Sequence, residues 1–120
     1  MPAEWMPHQR CFIAWPCHDG TFGPAGSARR KAAYAAYADV ARAIAKFEPV
    51  TMLANPSQVA EASQMCGAEI SVMPIPLTDS WTRDTGPSFL IDSKGRLAGV
   101  DWRFNAWGGN YPDHGEDAAL

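Results

Sequence analysis

The apolar positions fall into short runs separated by polar punctuation. Cys11-Phe12-Ile13-Ala14-Trp15 is an apolar run closed by Pro16, the pattern of a buried strand. Two prolines and three glycines over 16–26 predict a loop. Ser27 is placed to cap a long, alanine-rich helix over 28–47, in which Ala33, Tyr37, Val40, Ile44 and Phe47 recur at steps of three and four as one apolar stripe. Pro49 ends it. Val50 to Ala54 is a second buried strand. Asn55-Pro56 opens a second helix, with Asn55 capping, Pro56 at the first helical position and Gln58 completing a capping-box-like pair. Gly67 closes that helix.

Partial alternation at Ile70, Val72 and Met73 predicts a third strand over 69–75, after which Pro74 and Pro76 lead out into the loop TDSWTRDTGP. Ser88 to Asp92 and Leu97 to Trp102, joined across Ser93-Lys94-Gly95, form a hairpin. The tail RFNAWGGNYPDHGEDAAL shows little periodicity. Strand, helix, strand, helix, strand, loop, hairpin describes an α/β chain. In such folds, sites gather in loops at strand ends, which is where Trp81, Arg83 and Asp84 fall.

Composition adds bounds. The 120 residues suit one domain, and 47% apolar with 19% charged residues is ordinary globular material. A net charge of −3 argues against nucleic acid as a partner. The one basic cluster, Arg29-Arg30-Lys31, reads as a solvated helix face. No apolar run reaches the ~20 residues of a membrane helix. MPAEWMPHQR has no basic stretch followed by an apolar core, so no secretory leader is expected. Three cysteines without framework spacing point to reduced thiols in the cytoplasm.

Candidate chemistry centres on WTRDTGP. Asp84-Thr85-Gly86 spells the triplet of an aspartic protease, whose dyad shares one proton between two carboxylates. The flanks oppose that reading: Arg83 precedes the acid, Pro87 follows the glycine, and a long helix has no place in a small protease barrel. His8, Cys11, Cys17 and His18 lack the paired spacing of zinc ligands. Cys11 and Cys66 read as structural, and Cys17 beside His18 is the least implausible nucleophile. Of the five tryptophans, Trp15 and Trp102 adjoin strands and are expected to pack. Trp81 differs. An indole three residues before a carboxylate offers a π face together with charge and two acceptors, which suits a flat cation such as guanidinium. Asp84 capping a turn is the competing reading.

PAEWMPH at 2–8, AWP at 14–16, FEPVTMLANP at 47–56, DSWTRDTGP at 79–87 and GVDWRFNAWGG at 99–109 together resemble the agmatine deiminases, relatives of the bacterial-type peptidylarginine deiminases. The FNAWGGNY tail favours the agmatine-type members. The resemblance implies a pentein-type α/β-propeller, of which residues 1–120 are the first modules, as the N-terminal part of a single domain. It implies hydrolysis of agmatine to N-carbamoylputrescine and ammonia, a step toward putrescine, through a cysteine thiolate and a covalent amidino intermediate, without metal or organic cofactor. Asp84 matches the acid that binds the guanidinium, and Trp81 the tryptophan lining the substrate channel. Asn105, Trp107 and Gly108-Gly109 are expected as channel support, and Arg83 as a residue that orders its loop.

The nucleophilic cysteine, catalytic histidine and second substrate acid of that family have no counterpart among Cys11, Cys17, Cys66, His8, His18 and His114. The expectation is therefore an N-terminal portion, inactive alone, that functions with a complementing C-terminal segment or as an oligomer. A non-catalytic module acting by association and a peptidylarginine-directed activity are the alternatives.

Overall fold

The computed structural model describes residues 1–3, 5–110 and 112–120. Glu4 of the PAEWMPH motif and Tyr111 of FNAWGGNY lie outside the described residues. Three parallel strands form the central sheet: β1 (Cys11–Ala14), β2 (Val50–Ala54) and β3 (Ser71–Pro74), in the order β1-β2-β3. Cys11 pairs with Val50 and Thr51 with Ser71, so the three strands end at the same edge. β2 is central and buried along its whole length, which is why its sequence is apolar without alternation.

A four-residue turn of helix, α1 (Asp19–Phe22), follows β1. The long helix α2 (Ala28–Ile44) then leads to β2, and α3 (Val59–Cys66), preceded by a 3-10 turn at Pro56–Gln58, leads to β3. The Ser27 hydroxyl caps α2 by accepting from Arg30 N at 3.1 Å, as its position predicts. Val50, Met52 and Ala54 face the helices with Tyr34, Ala38, Ala41, Ala62 and Cys66. Leu53 faces the other way, with Ala14 and Leu77.

Several local expectations shift. α2 ends at Ile44, not Phe47, because the chain must leave the helix before Pro49 to enter β2. Its buried stripe is Arg30, Tyr34, Ala38 and Ala41, with Tyr37 and Ile44 on its flank. Val40 and Phe47 are exposed. Small side chains win the sheet-facing positions because they let the helix approach closely, and Tyr34 stacks on fully buried Trp15 at 4.6 Å. Arg30 is not solvated. It is 1% exposed, donates to Asp19 Oδ1 at 2.9 Å, and lies 6.0 Å from the Tyr34 ring centre. Asn55 makes no side-chain cap. It does stand at the N-cap position ahead of Pro56, and its amide reaches Gln58 Oε1 at 3.4 Å. The same amide accepts from Leu77 N at 2.8 Å and donates to Leu77 O at 3.0 Å, so it also clamps the loop after β3.

Beyond that loop, the stretch expected to be irregular contains a helical turn, α4 (Thr82–Thr85), leading into the hairpin of β4 (Ser88–Ile91) and β5 (Leu97–Val100). Trp102 does not pack as expected. It is exposed, its indole donating to Ser88 Oγ at 2.8 Å. Phe89, Ile91 and Leu97 of the hairpin are also exposed. No helix among the described residues is long and apolar enough to cross a membrane.

Candidate active site

The loops after β1 and β3 meet at the C-terminal edge of the sheet. The Cys17 thiol donates to Thr78 O at 3.3 Å, and the Thr21 hydroxyl donates to Asp79 Oδ2 at 2.8 Å. Asp117, brought over by the tail, accepts from the amides of Thr78 at 2.7 Å and Asp79 at 3.0 Å. The start of DSWTRDTGP is thus held from both sides before it reaches the surface.

Its continuation is a tight helical turn. The Trp81 carbonyl accepts from Asp84 N at 2.9 Å, Thr85 N at 3.1 Å and Thr85 Oγ1 at 3.1 Å. Gly86 N closes the turn on Thr82 O at 2.9 Å. One turn of helix brings side chains three apart onto the same face, so the indole of Trp81 and the carboxylate of Asp84 open onto a common cleft. That cleft has a volume of ≈ 650 Å³ and is lined by Trp81, Asp84, Trp107 and Asn110.

The second motif supplies the opposite wall. The turn at Ala106–Gly109 runs with positive φ throughout: 52° at Ala106, 53° at Trp107, 86° at Gly108 and 85° at Gly109. Left-handed backbone is costly for residues with a Cβ, and the glycine pair lowers that cost over half of the turn. Asn105 Oδ1 accepts from Gly108 N at 3.0 Å and caps it. The strained geometry directs Trp107 at the cleft, where its indole donates to Asp84 Oδ1 at 3.3 Å. Its ring meets Trp81 edge to face at 6.1 Å and 87°, and Phe104 supports it from behind at 5.1 Å. Two indoles therefore form a corner with a carboxylate at its base.

Trp81 and Asp84 are brought together as the sequence suggested, with Trp107 in the same cleft. Asp79 and Asp117, both nearly fully buried, drew no attention as sequence. An acid beginning a motif carries no mark of burial until its partners, 58 and 38 residues away, are known. The other candidates lie apart. His8 pairs with Glu48, His18 caps α1 by accepting from Thr21 N, and His114 meets the edge of Phe104.

Cys17 is a poor nucleophile. Burial first, then the charges of Asp79 and Asp117, push its thiol up to about 12. Burial also raises the thiols of Cys11 and Cys66. Asp117 is raised by burial too, against the opposing pull of its two amide donors. No group of three or more His, Cys, Asp or Glu among the described residues is placed to hold a metal ion.

An aromatic corner over an acid, on loops at the end of a parallel sheet, offers the π faces and the acceptors that suit a small planar cation. Residues 1–120 match the Porphyromonas-type peptidyl-arginine deiminase family throughout, and the chain belongs to that family. It is 55% identical over 114 residues to the protein named "Putative agmatine deiminase" of Legionella pneumophila (strain Paris), covering 94% of this chain and 32% of that one. It is 48% identical over 110 residues to the agmatine deiminase of Pseudomonas aeruginosa (strain LESB58), covering 91% and 29%. Among solved structures, the agmatine deiminase of Enterococcus faecalis superposes with a TM-score of 0.89 at 32% identity, over 100% of this chain and 33% of that one. The α/β fold is therefore that of the pentein-type deiminases, and the chain spans about a third of the length of these relatives.

Proposed function

We propose that residues 1–120 form the first part of a single agmatine deiminase domain and supply its guanidinium-binding wall. The observation that carries this reading is the cleft of Trp81, Asp84 and Trp107. Asp84 keeps acceptor capacity beyond its bond to Trp107, enough for two guanidinium N–H groups, while the indole faces flank the planar cation. Held by its nitrogens, the guanidinium presents its central carbon to a nucleophile arriving perpendicular to the plane.

The nucleophile of this reading is a thiolate from outside residues 1–120, since no cysteine of this chain lines the cleft. Its sulfur bonds to the guanidinium carbon, ammonia departs with a proton delivered by a histidine, and water then displaces the sulfur to release N-carbamoylputrescine. On its own the chain binds and does not turn over. The exposed apolar residues of the hairpin, Phe89, Ile91 and Leu97, support a covering partner, either the complementing C-terminal segment or a further copy in an oligomer. Three unpaired cysteines favour a reducing, cytoplasmic setting.

The test is Asp84→Asn in the whole protein, assayed for ureido product from agmatine. The neutral amide keeps the shape, loses the charge and offers one acceptor oxygen instead of two. kcat/KM is expected to fall at least ~30-fold, the equivalent of ~2 kcal/mol for a desolvated charge-assisted pair. An unchanged kcat/KM refutes the assignment. Peptidyl-arginine turned over in preference to agmatine would move the substrate, with Asp84 keeping its role. Turnover by residues 1–120 alone would refute the external nucleophile.

A further inference from the structure

Trp81 is 40% exposed, yet its indole N–H points inward. It donates at 3.0 Å to Oδ2 of Asp79, a residue only 5% exposed. The same oxygen accepts from the Thr21 hydroxyl at 2.8 Å and lies 3.8 Å from His18 Nδ1. The other oxygen, Oδ1, accepts from Ser80 N at 2.8 Å. A buried carboxylate has strong reason to keep every such donor, because each one lost leaves desolvated charge uncompensated. The Asp79 side chain is thus fixed from three directions, and its own backbone is fixed by Asp117.

We propose that Asp79 is a positioning residue of the guanidinium site, acting through Trp81. An indole on a surface loop has two soft torsions and several rotamers. The bond to Asp79 selects the one that turns the N–H toward the protein and the ring face toward the cleft. Thr21 extends the constraint to the loop after β1, so the aromatic wall is referenced to the sheet as well as to its own turn. Asp84 belongs to the same helical turn as Trp81, and the edge-to-face contact with Trp107 depends on the Trp81 ring plane. Rotating Trp81 therefore disturbs both indoles that flank the acid. Asp79 itself does not line the cleft.

This inference rests on the guanidinium-binding reading for its kinetic consequence and stands apart from it in its structural one. In the whole protein, Asp79→Asn presents an amide whose single acceptor oxygen cannot serve Ser80, Thr21 and Trp81 as the two carboxylate oxygens do. With 15N-labelled indoles, the Trp81 N–H resonance, assigned by its loss in Trp81→Phe, is expected to shift upfield in Asp79→Asn while those of Trp5 and Trp102 hold. The KM for agmatine is expected to rise roughly tenfold, and kcat to change less. In a Trp81→Phe background, where no indole N–H exists to be held, Asp79→Asn should add less than about twofold.

A Trp81 resonance that stays in place, or kinetic losses that multiply independently, would overturn the proposal. A purely structural Asp79 would give the second result. If Asp79→Asn does not fold, Thr21→Val takes its place. It leaves the charge and frees Oδ2 of its hydroxyl donor, with the same resonance expected to move and KM to rise about threefold; no movement overturns the proposal. If the wild-type protein turns over no guanidine, the agmatine reading fails, and the resonance alone decides whether Asp79 holds Trp81.

Discussion

Gly86→Ala isolates the geometry of the site from its charge. The φ of Gly86 is −76°, a value open to any residue, so conformational freedom does not explain the glycine. Space does. A Cβ there would sit 2.6 Å from the carbonyl oxygen of Thr82, the atom on which Gly86 N closes the turn. That obstacle is backbone and cannot rotate aside. Restoring ordinary contact at 3.4 Å requires a displacement of about 0.8 Å, which must come from the turn Thr82–Thr85 that carries Asp84. Overpacking of this kind costs about 1–3 kcal/mol, and a shift approaching 1 Å at a binding group can cost up to about 100-fold in rate.

Urea unfolding of the whole protein should show the loss of stability, and kcat/KM for agmatine should fall roughly 10- to 100-fold. Gly99→Ala is the control. Among the described residues its Cβ would meet only Pro87 Cβ, at 3.6 Å, and the change should alter stability by less than about 0.5 kcal/mol. If Gly86→Ala matches Gly99→Ala in both stability and kcat/KM, the steric argument is wrong.

Two other predictions accompany those for Asp84 and Asp79. At Gly108, φ is 86° and an added Cβ meets none of the described residues within 4 Å, so Gly108→Ala reads the backbone penalty. It should destabilise by about 1–2 kcal/mol in urea unfolding and raise KM as Trp107 leaves Asp84. A neutral result would mean that the turn is not held left-handed. At Cys17, burial pushes the folded thiol up to about 12 from its ordinary 9.0. The native state therefore retains the proton between those values, and the stability this group contributes is intact below 9.0 and lost as pH rises toward 12. Cys17→Ser should flatten the alkaline fall in stability, and native Cys17 should resist iodoacetamide at pH 8. Rapid native alkylation would refute the raised thiol.

The elements carried by neighbouring residues were legible in the chain. Ser27 caps α2 where it should, Gly67 ends α3, and β2 reads as buried because every residue in it is apolar or nearly so. The nearness of Trp81 to Asp84 was legible for the same reason: three residues separate them, and a local interval suffices, although the helical turn that carries them was not expected. The side of α2 that faces the sheet was not legible. Hydrophobicity favoured Val40 and Phe47, whereas the fold chose Ala38 and Ala41 for their small volume and buried Arg30 beside them.

Contacts between distant residues belong to the tertiary structure. Asn55 promised a cap, but its amide matches the peptide group of Leu77, 22 residues on, and two hydrogen bonds there outweigh one at a helix end. Trp107 lies 23 residues from Asp84 and reaches it only because the turn at Ala106–Gly109 winds left-handed, a conformation that the two glycines permit but do not announce. By itself the sequence determined the strands, the two longer helices and a tryptophan three residues from an acid, but not the short helical turns at Asp19–Phe22 and Thr82–Thr85. Only the tertiary structure decided that this acid would stand between two indoles and that a second, buried acid would hold one of them. Patterns along a chain encode exposure and local conformation, while a hydrogen bond between loops depends on where folding brings their ends.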